Sequence, residues 1–455
     1  MMTDKTKKYD PVRAAAVEIL GLVEAGTESV ENALHAAIEF HTMDTRDIRF
    51  LRQLVYGTIK MKRRLDHDYR KFLSRPSQKL SQRLIDILRL GFFQLYFTDK
   101  IPKAAAVSES VNLAKHFCDD ARARLVNAVM RSALRNPGRL VYVDKETDPI
   151  LYLANYYSYP EYFVAYCLDE FKFEMTEKML ENMNRAPLIT FRVNHFKAKP
   201  QEMAELLEEE GVGFTIGEYL PEFIHLSEGG HLLIDKLVYE GKIYIQDEST
   251  GLPVRLLNPK MGMEVVDMAA APGGKTCYMA TKMRNKGMIT AIDRSRPRLE
   301  MMMDNCQRLG VKIVSPVLAD NLEFTGNTFE RVLLDVPCTG WGNAGKHCDL
   351  RWAKSPDDVG RLFKVQSMMI DQAAKLVKPG GIMVYSTCTI IRRENDDVIE
   401  EFLLRRPDFE LESADQYFDE RIVTERGFVK TYPNKGNLSG SFAARLKKKP
   451  KTKKT

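Results

Sequence analysis

The sequence predicts a multidomain chain: an all-α bundle, then a small α+β linking segment, then an α/β domain with a mostly parallel sheet. Three observations carry this. Apolar residues recur at helical spacing from residue 10 to 136. From residue 243 onward, short apolar runs alternate with amphipathic ones, strand then helix. And 455 residues are too many for one ordinary domain.

The bundle begins at Pro11, where Val12, Ala16, Ile19, Leu20 and Val23 fall on one helix face. Further amphipathic runs cover 48–61, 80–96, 104–117 and 121–134, punctuated by Gly26, Pro76, Pro102 and Pro137-Gly138. The linking segment reads as a strand at Thr190–Asn194, a helix at Gln201–Glu210 ended by Gly211, and short strand-like pieces up to Tyr244-Ile245. The α/β part then reads as strands Glu264–Met268, Met288–Ile292, Lys312–Val317, Glu330–Leu334 and Ile382–Tyr385. Helices are expected at Lys275–Met283, Pro297–Leu309, Asp358–Val377 and Asn395–Leu404, and closing strands near Phe428–Thr431 and Ser441–Leu446. The expected boundaries are 1–138, 139–242 and 243–447, followed by a lysine-rich disordered tail at 448–455.

Net charge is +6, but the excess sits at the ends. Residues 1–140 carry +9 and the last nine carry +6, which leaves −9 for the middle. Basic ends fit a grip on a polyanion. In the bundle, Arg46, Arg49, Arg52, Lys60, Lys62, Arg63, Arg64, Arg70, Lys71 and Arg75 could lie against phosphates without reading sequence, or could simply be surface residues paired locally. The charged stretch Met1–Asp10 lacks an apolar core, so it is no secretory signal, and no run of 18 apolar residues suggests a membrane span. Seven scattered cysteines without a Cys-x-x-Cys pair point to a reducing, cytoplasmic setting. No zinc pattern is present, and no metal is expected.

Two places carry chemistry. The first is the turn Asp267 to Thr276, at the carboxyl end of the first strand of the α/β part. Gly273 and Gly274 allow close backbone approach, and Asp293, ending the next strand 20 residues on, can accept hydrogen bonds from a ribose. That combination favours an adenosyl ligand. The turn nearly fits a phosphate loop as well, with Asp335 as a magnesium-binding strand end. However, Ala269 stands where the first glycine should be, and nothing in a nucleoside triphosphatase requires cysteines at strand ends.

The second place is a pair of thiols. Cys338 in Asp335-Val336-Pro337-Cys338 and Cys388 in Ser386-Thr387-Cys388-Thr389 both lie just past strand ends, on the expected ligand side of one sheet. Carbon 5 of cytosine is a poor nucleophile, but a thiolate added at carbon 6 makes it an enamine carbon that can take a methyl group from a sulfonium donor. Asp335 is placed to assist at ring nitrogen 3. Cys118, Cys167, Cys277 and Cys306 read as small buried hydrophobes, and Cys348 is left unassigned.

Taken together, these residues resemble the RNA 5-methylcytosine methyltransferases of the Fmu/Sun (RsmB-like) type. The resemblance rests on Ala270-Ala271-Pro272-Gly273-Gly274-Lys275-Thr276, Asp335 to Gly340, Ser386 to Thr389, Glu394-Asn395 and Gly440 to Leu446. Leu125 to Arg131 resembles a NusB-like RNA-binding domain, and Gln246 to Ser249 the entrance to the catalytic domain. The resemblance implies a Rossmann-like fold and S-adenosylmethionine as cofactor, wrapped by Ala269, Ala270, Ala271, Pro272, Gly273, Gly274 and Lys275. Asp293 would hold the ribose, Asp320 the adenine side, and Asp335 would lie between cofactor and base. It implies Cys388 as nucleophile and Cys338 as the group assisting release, with Lys346, Arg351 and Trp352 in a loop meeting RNA. The expected activity is cytosine-5 methylation of 16S (small-subunit) rRNA, protein-free or partly unfolded, by a monomer. Transfer RNA is the nearest alternative substrate, and a non-enzymatic RNA-binding or antitermination factor is the alternative of a different class. Ala269, Ala319 before Asp320, Arg393, Asn343-Ala344 and Cys348 depart from the family pattern.

Overall fold

The computed structural model describes residues 9–434 and 438–450. The chain divides into two compact units: 1–184 together with 347–353, and 185–346 together with 354–455.

The first unit is helical: α1 (Pro11–Glu24), α2 (Val30–His41), α3 (Thr45–Lys60), α4 (Lys62–Arg70), α5 (Gln82–Tyr96), α6 (Lys103–Phe117), α7 (Asp120–Arg135), α8 (Pro149–Tyr157), α9 (Glu161–Glu170) and α10 (Phe173–Asn184). Local chemistry sets the starts. Asp10, Ser29, Asp44 and Asp119 each accept an amide of the first turn, the groups a helix otherwise leaves unsatisfied. Packing sets the faces. On α3, Leu51, Leu54, Val55 and Ile59 are buried, each contributing roughly 1.5–3 kcal/mol. Helices α8 to α10, in a segment the sequence assigned to the linking part, belong to this unit.

The second unit holds two sheets. The smaller comprises β1 (Thr190–Val193), α11 (Pro200–Glu209), β2 (Gly213–Ile216), β3 (Phe223–Glu228), α12 (His231–Tyr239) and β4 (Ile243–Ile245), with strand order β2-β3-β1-β4 and all pairs antiparallel. The larger part follows as α13 (Leu252–Leu257), β5 (Glu264–Asp267), α14 (Gly274–Lys282), β6 (Met288–Asp293), α15 (Arg296–Leu309), β7 (Val314–Leu318) and β8 (Phe329–Asp335). After α16 (Leu350–Ala353), which belongs to the first unit, come α17 (Pro356–Lys375), β9 (Val377–Thr387), α18 (Asp396–Arg405), β10 (Phe409–Glu412), β11 (Val429–Thr431) and β12 (Ser441–Lys448).

Its order is β10-β12-β9-β8-β5-β6-β7, with β11 on β12. The five strands from β9 to β7 run parallel, and β10, β11 and β12 add antiparallel pairs. Buried runs such as Val332-Leu333-Leu334 and Ile382 to Tyr385 are the continuous apolar stretches of a sheet covered on both faces. Two details differ from the sequence expectation. Helix α17 ends at Lys375, so Val377 opens a strand rather than closing a helix. And β12 extends through Lys448, where Lys448 faces Phe409 across the ladder, so that part of the expected tail is strand; 451–455 lie outside the described residues.

Candidate functional site

The parallel strands β5, β8 and β9 end side by side. Asp335 on β8 is in register with Ser386 on β9, and Asp267 on β5 with Leu333 on β8. In such a sheet the crevice beyond the carboxyl ends, where the connections diverge from β5 toward β6 on one side and β8 on the other, is where ligands bind. The expected site residues leave the sheet here.

The turn after β5 is shaped mainly by its backbone. Gly273 has φ 100°, a conformation that L side chains rarely adopt, and donates its amide to the Ala270 carbonyl at 2.8 Å. A Cβ there would meet Cγ of Met302 at 2.7 Å. The Ala270 amide donates to the Ile292 carbonyl on β6 (3.0 Å), Asn305 to the Pro272 carbonyl (3.0 Å), Arg192 to the Gly274 carbonyl (3.0 Å), and Arg298 to the Ala271 carbonyl. Ala269 is tied only weakly, its amide 3.5 Å from Asp267 Oδ1. Beneath the turn, Asp267 accepts the Thr276 hydroxyl at 2.7 Å, and its burial pushes its pKa up to about 6.

Asp293 ends β6, buried, accepting the Ser295 amide at 3.0 Å. The Ala319 amide donates to the Asp293 carbonyl (3.2 Å), which brings exposed Asp320 to the same edge; Asp320 Oδ1 accepts the Leu322 amide. Lys275 does not point at a phosphate position. Its Nζ donates to Asp335 Oδ2 at 2.7 Å. Burial disfavours the ammonium, but the Asp335 carboxylate outweighs it and holds the Lys275 pKa above its usual value. The other Asp335 oxygen accepts the Ser386 hydroxyl at 2.7 Å.

The two sulfurs are 3.3 Å apart. Each thiol is half-buried. They titrate as a pair. A hydrogen bond from Cys338 holds the Cys388 pKa below its usual value against burial and the Asp335 charge, with a smaller contribution from Lys275. The same bond and burial push Cys338 well up. Both shifts favour Cys338 as the donor and Cys388 as the acceptor of this bond. Of the other cysteines, Cys167, Cys277, Cys306 and Cys348 are buried, as small hydrophobes are, but Cys118 is only half-buried. Cys348, inside the helical unit, has its pKa pushed up to about 11 by burial.

The expected RNA-facing loop needs correction. Arg351 is fully buried within the helical unit. It lies over the Tyr159 ring and donates to Asn184 Oδ1 (2.7 Å) and the Met183 carbonyl (3.0 Å). The Trp352 indole donates to the Ile59 carbonyl at 2.8 Å. Lys346 pairs with Asp247, both in the other unit. The sequence marks these as loop residues but not which ones are swallowed by packing. Asp247 itself received no role from the sequence. It also accepts from Ser249 (2.5 Å) and Ser439 (2.9 Å), so it fastens the strand-entry segment, the segment after Cys338 and the hairpin before β12. Burial opposes its charge, but Lys346 holds its pKa low. Of the bundle's basic residues, Arg46, Arg49, Arg52, Lys71 and Arg75 are exposed, whereas Lys62 pairs with Glu24 and Arg63 with Glu161. Among the described residues no cluster of three or more His, Cys, Asp or Glu is placed to hold a metal, and no helix is long and apolar enough to cross a membrane.

Known proteins are similar to this chain along most of its length. A protein of Bacillus subtilis (strain 168) described as a probable ribosomal RNA small subunit methyltransferase B is 33% identical over 97% of this chain and 100% of its own. The family profile described as 16S rRNA methyltransferase RsmB/F matches residues 254–447. The chain belongs to this methyltransferase family. A ribosomal RNA small subunit methyltransferase B of Pseudomonas putida is 30% identical over 87% of this chain and 89% of its own. The NusB family profile matches 10–135, and an RsmF/B-like ferredoxin-like domain matches 159–232. The chain is thus a NusB helical domain, a ferredoxin-like small domain and a Rossmann-like methyltransferase domain. A solved structure named PH0851 is similar over 97% of this chain and 100% of its own (27% identity, TM-score 0.78). A methyltransferase homolog from Pyrococcus horikoshii is similar over 66% and 99% (31% identity, TM-score 0.58).

Proposed function

We propose that this chain methylates carbon 5 of cytosine in 16S rRNA, using S-adenosylmethionine and a covalent bond from Cys388 to carbon 6 of the base. The observation that carries this is the thiol pair: Cys338 and Cys388 in contact beside the Lys275–Asp335 ion pair. The turn's chemistry favours an adenosyl cofactor over a triphosphate. Its lysine is committed to Asp335, the next strand ends bring the carboxylates Asp293 and Asp320, and the neighbouring Arg298 is taken up by Asp293 and the Ala271 carbonyl. Ala269 to Lys275, Asp293, Asp320 and Asp335 would hold it. When bound, the cofactor supplies an electrophilic methyl group on a sulfonium.

The protein's part is proton and electron handling on the base. The Cys388 thiolate adds to carbon 6, and nitrogen 3 takes up hydrogen bonding or a proton at the Asp335–Lys275 pair, which makes carbon 5 nucleophilic. After methyl transfer a base removes the carbon 5 proton, and the carbon 6–sulfur bond breaks with its electrons returning to Cys388. Cys338, kept protonated, can return a proton to the departing thiolate and so assist release. A cytosine inside a helix must leave the stack to reach the thiol, which favours protein-free or partly unfolded RNA. We place the enzyme in the cytoplasm as a monomer, its basic helical domain contributing phosphate contacts. Bisulfite sequencing of ribosomal and transfer RNA from cells with and without the protein tests this. A 16S cytosine that loses protection is expected; loss confined to transfer RNA would move the substrate, and no loss anywhere would remove the activity.

A further inference from the structure

Behind the thiols sits a carboxylate that the mechanism above does not use. Glu394 lies in a short turn (392–394) between β9 and α18 and is fully buried. The donors reaching it are neutral: the Thr339 amide (2.8 Å) and hydroxyl, the Gln366 side-chain amide (3.0 Å) and the Thr389 hydroxyl. Burial pushes its pKa up. A buried carboxylate held by neutral donors is a costly arrangement, and packed apolar residues would serve stability as well.

What the arrangement does is local. Thr339 follows Cys338, and Thr389 follows Cys388. Their hydroxyl oxygens are 2.9 Å apart. Thr389 accepts the Ile391 amide (3.2 Å), so its own proton is available to Thr339 or directly to Glu394, and the Thr339 proton goes to Glu394. This chain of donors must end on an acceptor, and the carboxylate is that acceptor. Gln366 also donates to the Pro337 carbonyl (2.9 Å), just before Cys338. The adjoining Asn395 accepts the Thr387 hydroxyl (2.6 Å) and donates to the Thr389 carbonyl (2.9 Å), on either side of Cys388.

We infer that Glu394 is a positioning residue for the thiol pair: through Thr339 and Thr389 its carboxylate clamps the two cysteine loops together and holds the sulfurs in contact. It acts through the threonines, not on the base. This rests on the reading of the thiol pair as the reaction centre.

The full-length protein carries the test, with Glu394→Ala, Glu394→Gln and Thr389→Val. Two readouts are needed: kcat and KM with an unmodified 16S rRNA transcript and S-adenosylmethionine, and the rate at which iodoacetamide alkylates Cys388 without RNA, resolved by peptide mass spectrometry across pH. Glu394→Ala is expected to lower kcat about a hundredfold with KM nearly unchanged, the scale of an ångström's misplacement. It should slow Cys388 alkylation at neutral pH about tenfold, since the thiolate loses its hydrogen-bond donor. Glu394→Gln should recover most of both. Its oxygen can still accept the Thr339 and Gln366 amides, and its amide, placed at the Thr339 hydroxyl, can donate to that oxygen once the hydroxyl chain reverses direction. Thr389→Val, close in shape but without the hydroxyl, should fall between and decides the matter if Glu394→Ala does not fold. Wild-type alkylation and kcat in folded Glu394→Ala or in Thr389→Val would overturn the inference, as would a loss expressed in KM. A wild-type protein that fails to methylate RNA would defeat the proposed reaction instead, while the alkylation comparison would still decide the role of Glu394.

Discussion

The cofactor turn and the thiol pair occupy neighbouring strand ends but are held by opposite means. The turn is a local object. Its residues are contiguous and held mainly through backbone groups, by the Gly273–Ala270 bond within the turn and by bonds to the neighbouring strands, while Arg298 and Asn305 hold its carbonyls from outside. The thiol pair is non-local. Two loops 50 residues apart are brought together by sheet register and then fixed by a buried side-chain network of Thr339, Thr389, Gln366 and Glu394. A backbone-built site tolerates side-chain change except where conformation or space forbids it. A network-built site fails by parts, and its parts need not touch the substrate.

The largest expected effect separates the two cysteines. Cys388→Ala should abolish methyl transfer to a 16S transcript, by about 10⁴-fold or more, with no covalent product on denaturing gels. Cys338→Ala should instead accumulate a protein–RNA crosslink. Crosslinks trapped by the first variant would reverse the roles. Next comes the ion pair that adjoins the thiolate. Lys275→Met removes a cation that favours the charged form of Cys388, so its pKa should rise. Activity that climbs with pH as Cys388 ionises should then climb only at higher pH. At neutral pH, kcat should fall about tenfold for every pH unit by which that rise is displaced. An unmoved pH profile would disconnect Lys275 from the thiol. Gly273→Ala sharpens the contrast from the other side. Left-handed φ costs an L-residue roughly 1–2 kcal/mol. That strain, with the Met302 clash, should weaken S-adenosylmethionine binding about tenfold or more by calorimetry while leaving Cys388 alkylation unchanged. A coupled loss would show that the two regions are one. The smallest effect lies in the helical unit. Neutralising exposed Arg46, Arg49 and Arg52 to Gln should flatten the salt dependence of RNA binding by a log–log slope of about 2, with kcat at saturation unchanged.

The same contrast explains what could be read in advance. The turn was legible because its signal is contiguous: a strand, a glycine pair, and an acid at the end of the next strand. The cysteines were legible because each follows an apolar run, and two parallel strands put such ends on one side. The clamp behind them was not. Glu394 and Asn395 appeared only as letters of a resemblance, and nothing along the chain connects them to Thr339, 55 positions earlier. Helix α4 was missed for a related reason. Among its nine residues Leu65 is the single aliphatic one, and the buried face is completed by Asp68 and Tyr69, which periodicity does not count. For Arg351 and Trp352 the resemblance implies an RNA-facing loop, and nothing along the chain shows that packing in the helical unit buries Arg351 and ties down the Trp352 indole.

The most direct test is to offer the protein S-adenosylmethionine and a 16S rRNA transcript made with 5-fluorocytidine, whose carbon 5 carries no removable proton, and then to digest the stalled complex for peptide mass spectrometry. The account predicts a nucleotide joined to the peptide bearing Cys388, and none with Cys388→Ala. A nucleotide on the Cys338 peptide, or methyl transfer without any adduct, would contradict it.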